Sequence, residues 1–143
     1  MSSFGEGIGN HDGVWECPDL IELYVEGTSK SKWVHLVSIN PGGPNGGSAT
    51  QYFVGEFDGE RFIIDSDFEL QMKKEHNFWT DFGKDNYAGV TYNNWRSKRL
   101  GGLYQGGMSN WQYANLVPTL KWRSAMTLPR ELSLYLSQNS IYR

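Results

Sequence analysis

A single cysteine, Cys17, rules out an internal disulfide and any Cys-rich zinc site. Basic clusters are missing as well. Thirteen Lys and Arg are scattered among 16 Asp and Glu, for a formal charge of -3, so the chain lacks the electrostatic footprint of a nucleic-acid binder. Apolar runs end after a few residues, far short of a bilayer span, and no membrane partner is expected. The start carries no charged segment followed by an apolar one, so no signal peptide is visible, and "MSSFGEG" reads as a start cut into a longer sequence. The three histidines, His11, His35 and His76, lack metal-ligand spacing; no metal and no cofactor is expected. Helix signals are weak throughout, with no long window of apolar residues at i, i+3, i+4 and i+7 between proper caps.

Aromatics and glycine are plentiful. Six Trp, eight Tyr and seven Phe make 15% of the chain, beside 17 Gly, a mixture that suits short strands, tight turns and a groove lined with flat rings. "LIELYV" (Leu20–Val25) and "WVHLVSI" (Trp33–Ile39) flank a turn-like "EGTSKSK" and should pair as a hairpin. "NPGGPNGGSA" (Asn40–Ala49) is a loop. "TQYFVGEF" and "ERFIID" flank Asp58-Gly59, a strong signal for a two-residue hairpin turn. Further strands are predicted at Tyr87–Asn93, Arg99–Gly107 and Glu131–Leu136, with Asn110–Arg130 irregular. Antiparallel meanders without helices point to an all-β barrel, sandwich or propeller.

Five blocks narrow that choice. "WECPDL" (Trp15–Leu20), "SINPGGPNGGSATQYFVGEFDG" (Ser38–Gly59), "DFGKDNYAGVTYNN" (Asp81–Asn94), "GMSNWQYANLVPT" (Gly107–Thr119) and "WRSAMTLPREL" (Trp122–Leu132) resemble, in order, glycoside hydrolase family 32, the levanases, inulinases and invertases. The resemblance implies a five-bladed β-propeller of four-stranded antiparallel sheets followed by a β-sandwich, and hydrolysis of β-fructofuranosides with retention. The family's Asn-Asp-Pro-Asn-Gly block, which carries the nucleophilic Asp, and its Arg-Asp-Pro block are absent here. The chain is therefore expected to be the later part of a propeller, about two to three blades over residues 1–132, with 133–143 starting the connection to the sandwich.

By that resemblance Glu16 is the general acid/base. A retaining glycosidase needs two carboxyl groups about 5–5.5 Å apart, and the acid must hold its proton near neutral pH. Apolar burial and a nearby negative charge both favour that; Trp15, Cys17 and Pro18 are the candidate walls. The alternative for Glu16 is a strand-end carboxylate that caps a turn or pairs with a lysine. Cys17 reads as a packed small residue with a possible supporting contact to Glu16. Asp85 and Tyr87 are candidate pocket residues, against the reading of Asp81 and Asp85 as turn formers. "DFG" is no kinase signature, because the other kinase blocks are missing. Trp15, Trp79, Trp95 and Trp111 could stack on a fructosyl ring or fill blade cores. Gly107 stands where family members commonly carry a Trp that walls the pocket. Arg123 and Arg130 are expected to hold the propeller-to-sandwich junction by ion pairs. The expected partners are a fructan or sucrose, with self-association or a complementing propeller fragment as a further possibility. The parent protein is expected to be secreted or periplasmic.

Overall fold

The computed structural model describes residues 2–92, 102–107, 112–138 and 141–143. Strands β1 (Val14–Tyr24), β2 (Ser31–Asn40), β3 (Ala49–Phe57) and β4 (Phe62–Ile64) form one sheet in chain order. A helix, α1 (Ser66–Lys74), follows. Strands β5 (Tyr87–Thr91), β6 (Gly102–Gly107) and β7 (Arg130–Leu132) form a second sheet, again in chain order. Every pairing is antiparallel. The middle strands carry the core: Val34, Leu36, Val37 and Ile39 on β2, with Phe53 and Val54 on β3, are fully or almost fully buried. Apolar side chains on successive positions mean that both faces of the sheet are covered.

The two meanders meet through their first strands. Glu16 of β1 pairs with Ser38, whose hydroxyl accepts the Ala88 amide of β5 at 3.0 Å. Three residues further along both strands, Asp19 accepts the Thr91 amide at 2.7 Å. Sequence number rises together along both contacts, so β1 and β5 run side by side in the same direction. Two up-and-down sheets with parallel inner strands are adjacent blades of a partial β-propeller, the all-β architecture expected.

Between the blades lies a buried polar network rather than an apolar seam. Thr50 Oγ1 donates to the Asn86 carbonyl at 2.8 Å, lies 3.1 Å from the Ser38 hydroxyl, and accepts from Tyr104 Oη at 3.2 Å. Gly89 is obligatory beside it, because a Cβ there would sit 2.1 Å from Tyr104 Oη.

Three local expectations are corrected. First, a helix is present. Its signal is electrostatic rather than periodic: Asp65 caps it through the amides of Asp67 and Phe68, Asp67 and Glu69 stand in its first turn, and Lys73 and Lys74 in its last. Only Phe68 and Met72 are buried, too few to make a stripe. Second, the β3–β4 turn has four residues, not two. Phe57 pairs with Phe62, and Asp58 Oδ1 accepts the amides of Glu60 and Arg61 at 2.8 and 2.7 Å, an Asx turn that carries Gly59 at φ +98°. Third, the last strand stops at Leu132. The chain then turns back, Leu134 bridges in parallel to Val25, and Ile141 and Tyr142 pack against the core of the first blade.

Candidate active site

Glu16 sits on the inner strand just before an irregularity. Trp15 faces Ile39 and Glu16 faces Ser38; the register then slips before Asp19 meets Leu36. Cys17 takes φ +49°, a left-handed conformation that non-glycine residues seldom adopt. Alternation along the strand sends Trp15 inward and Glu16 outward. The Trp15 ring packs on Phe53 and stacks on His11 at 4.5 Å, and its Nε1 donates to the Asn10 carbonyl at 2.6 Å. Trp15 is thus half-buried and packed toward the core. The bulge leaves Cys17 and Pro18 exposed, so the apolar walls expected around Glu16 do not form, and Cys17 is not packed. Glu16 itself is exposed and, among the described residues, has no hydrogen bond or ion pair. It neither caps a turn nor pairs with a lysine. The carboxylate points into open space at the inner strand.

Asp19, in the same motif, has the opposite situation and was not singled out by sequence reasoning. Its Oδ2 accepts both the amide and the hydroxyl of Thr91, at 2.7 and 2.8 Å, and its Oδ1 accepts the Leu20 amide at 2.9 Å. It ties one blade to the next. It lies in the middle of β1, just past the register slip, and nothing in the sequence marked it out.

Asp85 and Tyr87 arrive at the same region through β5. Tyr87 pairs with Gly107 and precedes Ala88, whose amide binds Ser38 opposite Glu16. The Tyr113 hydroxyl donates to the Asp85 carboxylate. Asp81, by contrast, is taken up by a turn, with its Oδ1 accepting the Gly83 amide at 2.6 Å. Trp79 is core, 7% exposed. Trp95 and Trp111 lie outside the described residues. Arg123 is exposed and donates to Thr119 and to the Trp122 carbonyl. Its bonds stay within its own loop, and it forms no ion pair among the described residues, against the expectation of one at this junction. Arg130 lies over the Tyr104 ring, 5.8 Å from its centre.

A cavity of about 540 Å³ opens between the start of β1 and the Gly/Pro loop after β2. Asn10, Asp12, Gly42, Gly46, His76 and Trp79 help to line it. One buried side chain organises it. Gln51 Oε1 accepts the Asn10 amide at 3.0 Å and contacts His76 Nε2 at 2.9 Å, while Gln51 Nε2 donates to the Asn10 carbonyl at 3.2 Å. Because the Asn10 amide can only donate, the Gln51 oxygen is the acceptor, and His76 Nε2 must carry a proton. His76 Nδ1 then accepts the Phe78 amide at 3.4 Å. The ring stacks on Trp79 at 4.5 Å, and burial pushes its pKa down to about 4. His76 is therefore neutral at ordinary pH, a fixed hydrogen-bonded floor rather than a proton carrier.

Known proteins share this sequence and shape. Residues 2–143 match the model for the glycosyl hydrolases family 32 N-terminal domain. The chain belongs to glycoside hydrolase family 32. Within it, the chain is 49% identical over 134 residues to a levanase of Bacillus subtilis, covering 93% of this chain and 19% of that protein. An extracellular exo-inulinase of Aspergillus niger is 48% identical over 136 residues, covering 94% of this chain and 25% of that protein. Among solved structures, the exo-inulinase of Aspergillus awamori superposes with a TM-score of 0.79 at 42% identity, covering 92% of this chain and 25% of that one. A fructofuranosidase of Schwanniomyces occidentalis complexed with fructose gives 0.72 at 43% identity, covering 87% and 22%. The chain thus spans a fifth to a quarter of the length of these family 32 relatives.

Proposed function

We propose that this chain is the acid/base-bearing part of the catalytic propeller of a retaining β-fructofuranosidase acting on fructans or sucrose. Glu16 is its general acid/base. It protonates the leaving oxygen as the fructosyl bond breaks, then takes a proton from the water that releases the sugar. The nucleophile is a second carboxylate about 5–5.5 Å away, from polypeptide outside these 143 residues. That second group also supplies what the exposed setting of Glu16 lacks: a neighbouring negative charge that favours the protonated acid. Asp85, Tyr87 and Trp111 are assigned to the sugar-binding side of the pocket, and residues 133–143 to the path out of the propeller. Relatives such as the exo-inulinase of Aspergillus niger are named extracellular, which favours an exported parent protein.

The observation that carries the reading is the position of Glu16. It is a carboxylate with no partner among the described residues, on an inner strand, within the family block "WECPDL". The test is Glu16→Gln in the full-length gene product. Hydrolysis of sucrose, inulin and levan should fall roughly 10²–10⁴-fold. Retained activity would refute the assignment. The 143-residue chain alone should show no turnover.

A second, compatible reading rests on Leu116, Leu120 and Leu128, which are 81%, 95% and 85% exposed. Such a surface favours self-association or pairing with a complementing propeller fragment. Sedimentation of a concentration-independent monomer would count against it.

A further inference from the structure

The bulge beside Glu16 has a counterpart across the blade boundary. From Glu16 to Asp19, β1 takes three steps where its partner β2 takes two, Ser38 to Leu36. From Tyr87 to Val90, β5 does the same against β6, Gly107 to Gln105. Each inner strand therefore carries one extra residue. Each bulge also holds a non-glycine residue in the left-handed region, Cys17 at φ +49° and Ala88 at φ +53°. Such conformations persist only where the surroundings over-determine them, and bulges beside a site re-aim side chains.

The two bulges are tied together at both ends. Before the β1 bulge, Glu16 pairs with Ser38, whose hydroxyl accepts the Ala88 amide at 3.0 Å. After it, Asp19 Oδ2 accepts the amide and the hydroxyl of Thr91 at 2.7 and 2.8 Å. Asp19 Oδ1 accepts the Leu20 amide at 2.9 Å, which fixes the rotation of the carboxylate. Between these anchors Cys17 and Pro18 are exposed, and Pro18 has no amide proton to give the ladder. The Glu16 side chain is exposed and has no partner among the described residues. Its direction is therefore set by its backbone alone, and that backbone is set by the two ties. Asp19 and Thr91 are both half-buried, and a charged acceptor taking two donors from one residue makes the stronger tie.

We infer that Asp19 is a positioning residue for Glu16: its clasp on Thr91 locks the paired bulges and holds the carboxylate at the angle proton transfer needs, a role that rests on the reading of Glu16 as the acid/base. The experiment measures kcat/KM, which covers only the bond-breaking half of the reaction, for sucrose and fructosyl fluoride in the full-length gene product. Sucrose needs a proton on its leaving oxygen; fluoride needs almost none. Asp19→Asn keeps the size of the side chain but turns one acceptor into a donor. It should lower the sucrose value by about ten- to a hundredfold and the fluoride value by less than about threefold. Thr91→Val keeps the charge at position 19 and removes one of the two donors. It should lower the sucrose value by about threefold or more and spare the fluoride, and Thr91→Ser, which restores the hydroxyl, should recover it. The Thr91 pair carries the test alone if Asp19→Asn does not fold. A purely structural role lowers both substrates together, so equal losses would overturn the inference. So would an unmoved sucrose value, or a loss with Asp19→Asn and none with Thr91→Val, which would assign the effect to charge rather than to the clasp. Glu16→Gln separates the inference from its premise. A loss confined to sucrose in Glu16→Gln, with none in the Asp19 and Thr91 variants, removes the positioning role alone. Equal losses, or none, in Glu16→Gln remove the acid/base reading and the positioning role with it.

Discussion

Between Glu16 and Asp19 the strand bulges, and the two carboxylates end in opposite circumstances. Asp19 holds three hydrogen bonds, two of them across the blade boundary. Bonds to a charged acceptor contribute about 1.5–3 kcal/mol, and their loss leaves Thr91 short of a partner. Asp19→Ala should therefore lower stability by about 2–3 kcal/mol in urea unfolding. Glu16→Gln should change it by less than about 0.5 kcal/mol, as for other exposed sites. His76 gives a pH prediction. Its pKa falls from 6.5 to about 4 on folding because burial disfavours the charged ring. The unfolded chain then binds more protons between those values, so stability falls as pH drops through that window and levels off below it. Burial also lowers the pKa of His35, which adds to the same slope. His76→Gln should flatten, without abolishing, the loss of stability measured between about pH 7 and about pH 4.5.

The secondary elements were legible where the code is hydrophobic alternation, and were missed where it is capping. β2, β3, the inner strand of the second blade and the later half of β1 follow from runs such as "WVHLVSI", paired as anticipated, but β1 begins at Val14, six residues before the expected Leu20. Helix α1 escaped because its apolar content is two buried residues, while its signals are one N-cap and charges matched to the helix ends. The Asp58 turn was located but miscounted, since Asp-Gly serves an Asx turn as readily as a type I′ turn. The polar seam between blades could not be read at all. Ser38, Thr50, Asn86 and Tyr104 are separated in sequence and converge only when the sheets stack. It is nonetheless the joint that brings β5 to β1. Thr50→Val keeps the shape but strands the Asn86 carbonyl and the Tyr104 hydroxyl, each costing about 1–3 kcal/mol. The change should destabilise by about 3 kcal/mol, with amide exchange accelerating in β5 and β6 more than in β2 and β3.

At the scale of the molecule, two blades place at the inner strand an exposed carboxylate, Glu16, that has no partner among the described residues. The family was readable because five blocks stand in order. The placement of Glu16 was readable only in part: its motif pointed to it, but neighbours in sequence are not neighbours in space on a strand, and the walls looked for beside it lie on the other face or out in solvent. The burial that an acid needs must come from the groups that face β1 in the assembled propeller. The direct test compares leaving groups in the full-length gene product. Sucrose needs a proton on departure, whereas fructosyl fluoride needs almost none. With Glu16→Gln, release of fructose from sucrose should fall roughly 10²–10⁴-fold, and from fructosyl fluoride far less, with the acid limb of the sucrose pH profile lost. Equal losses with both substrates, or an unchanged pH profile, would mean that Glu16 does not carry the proton.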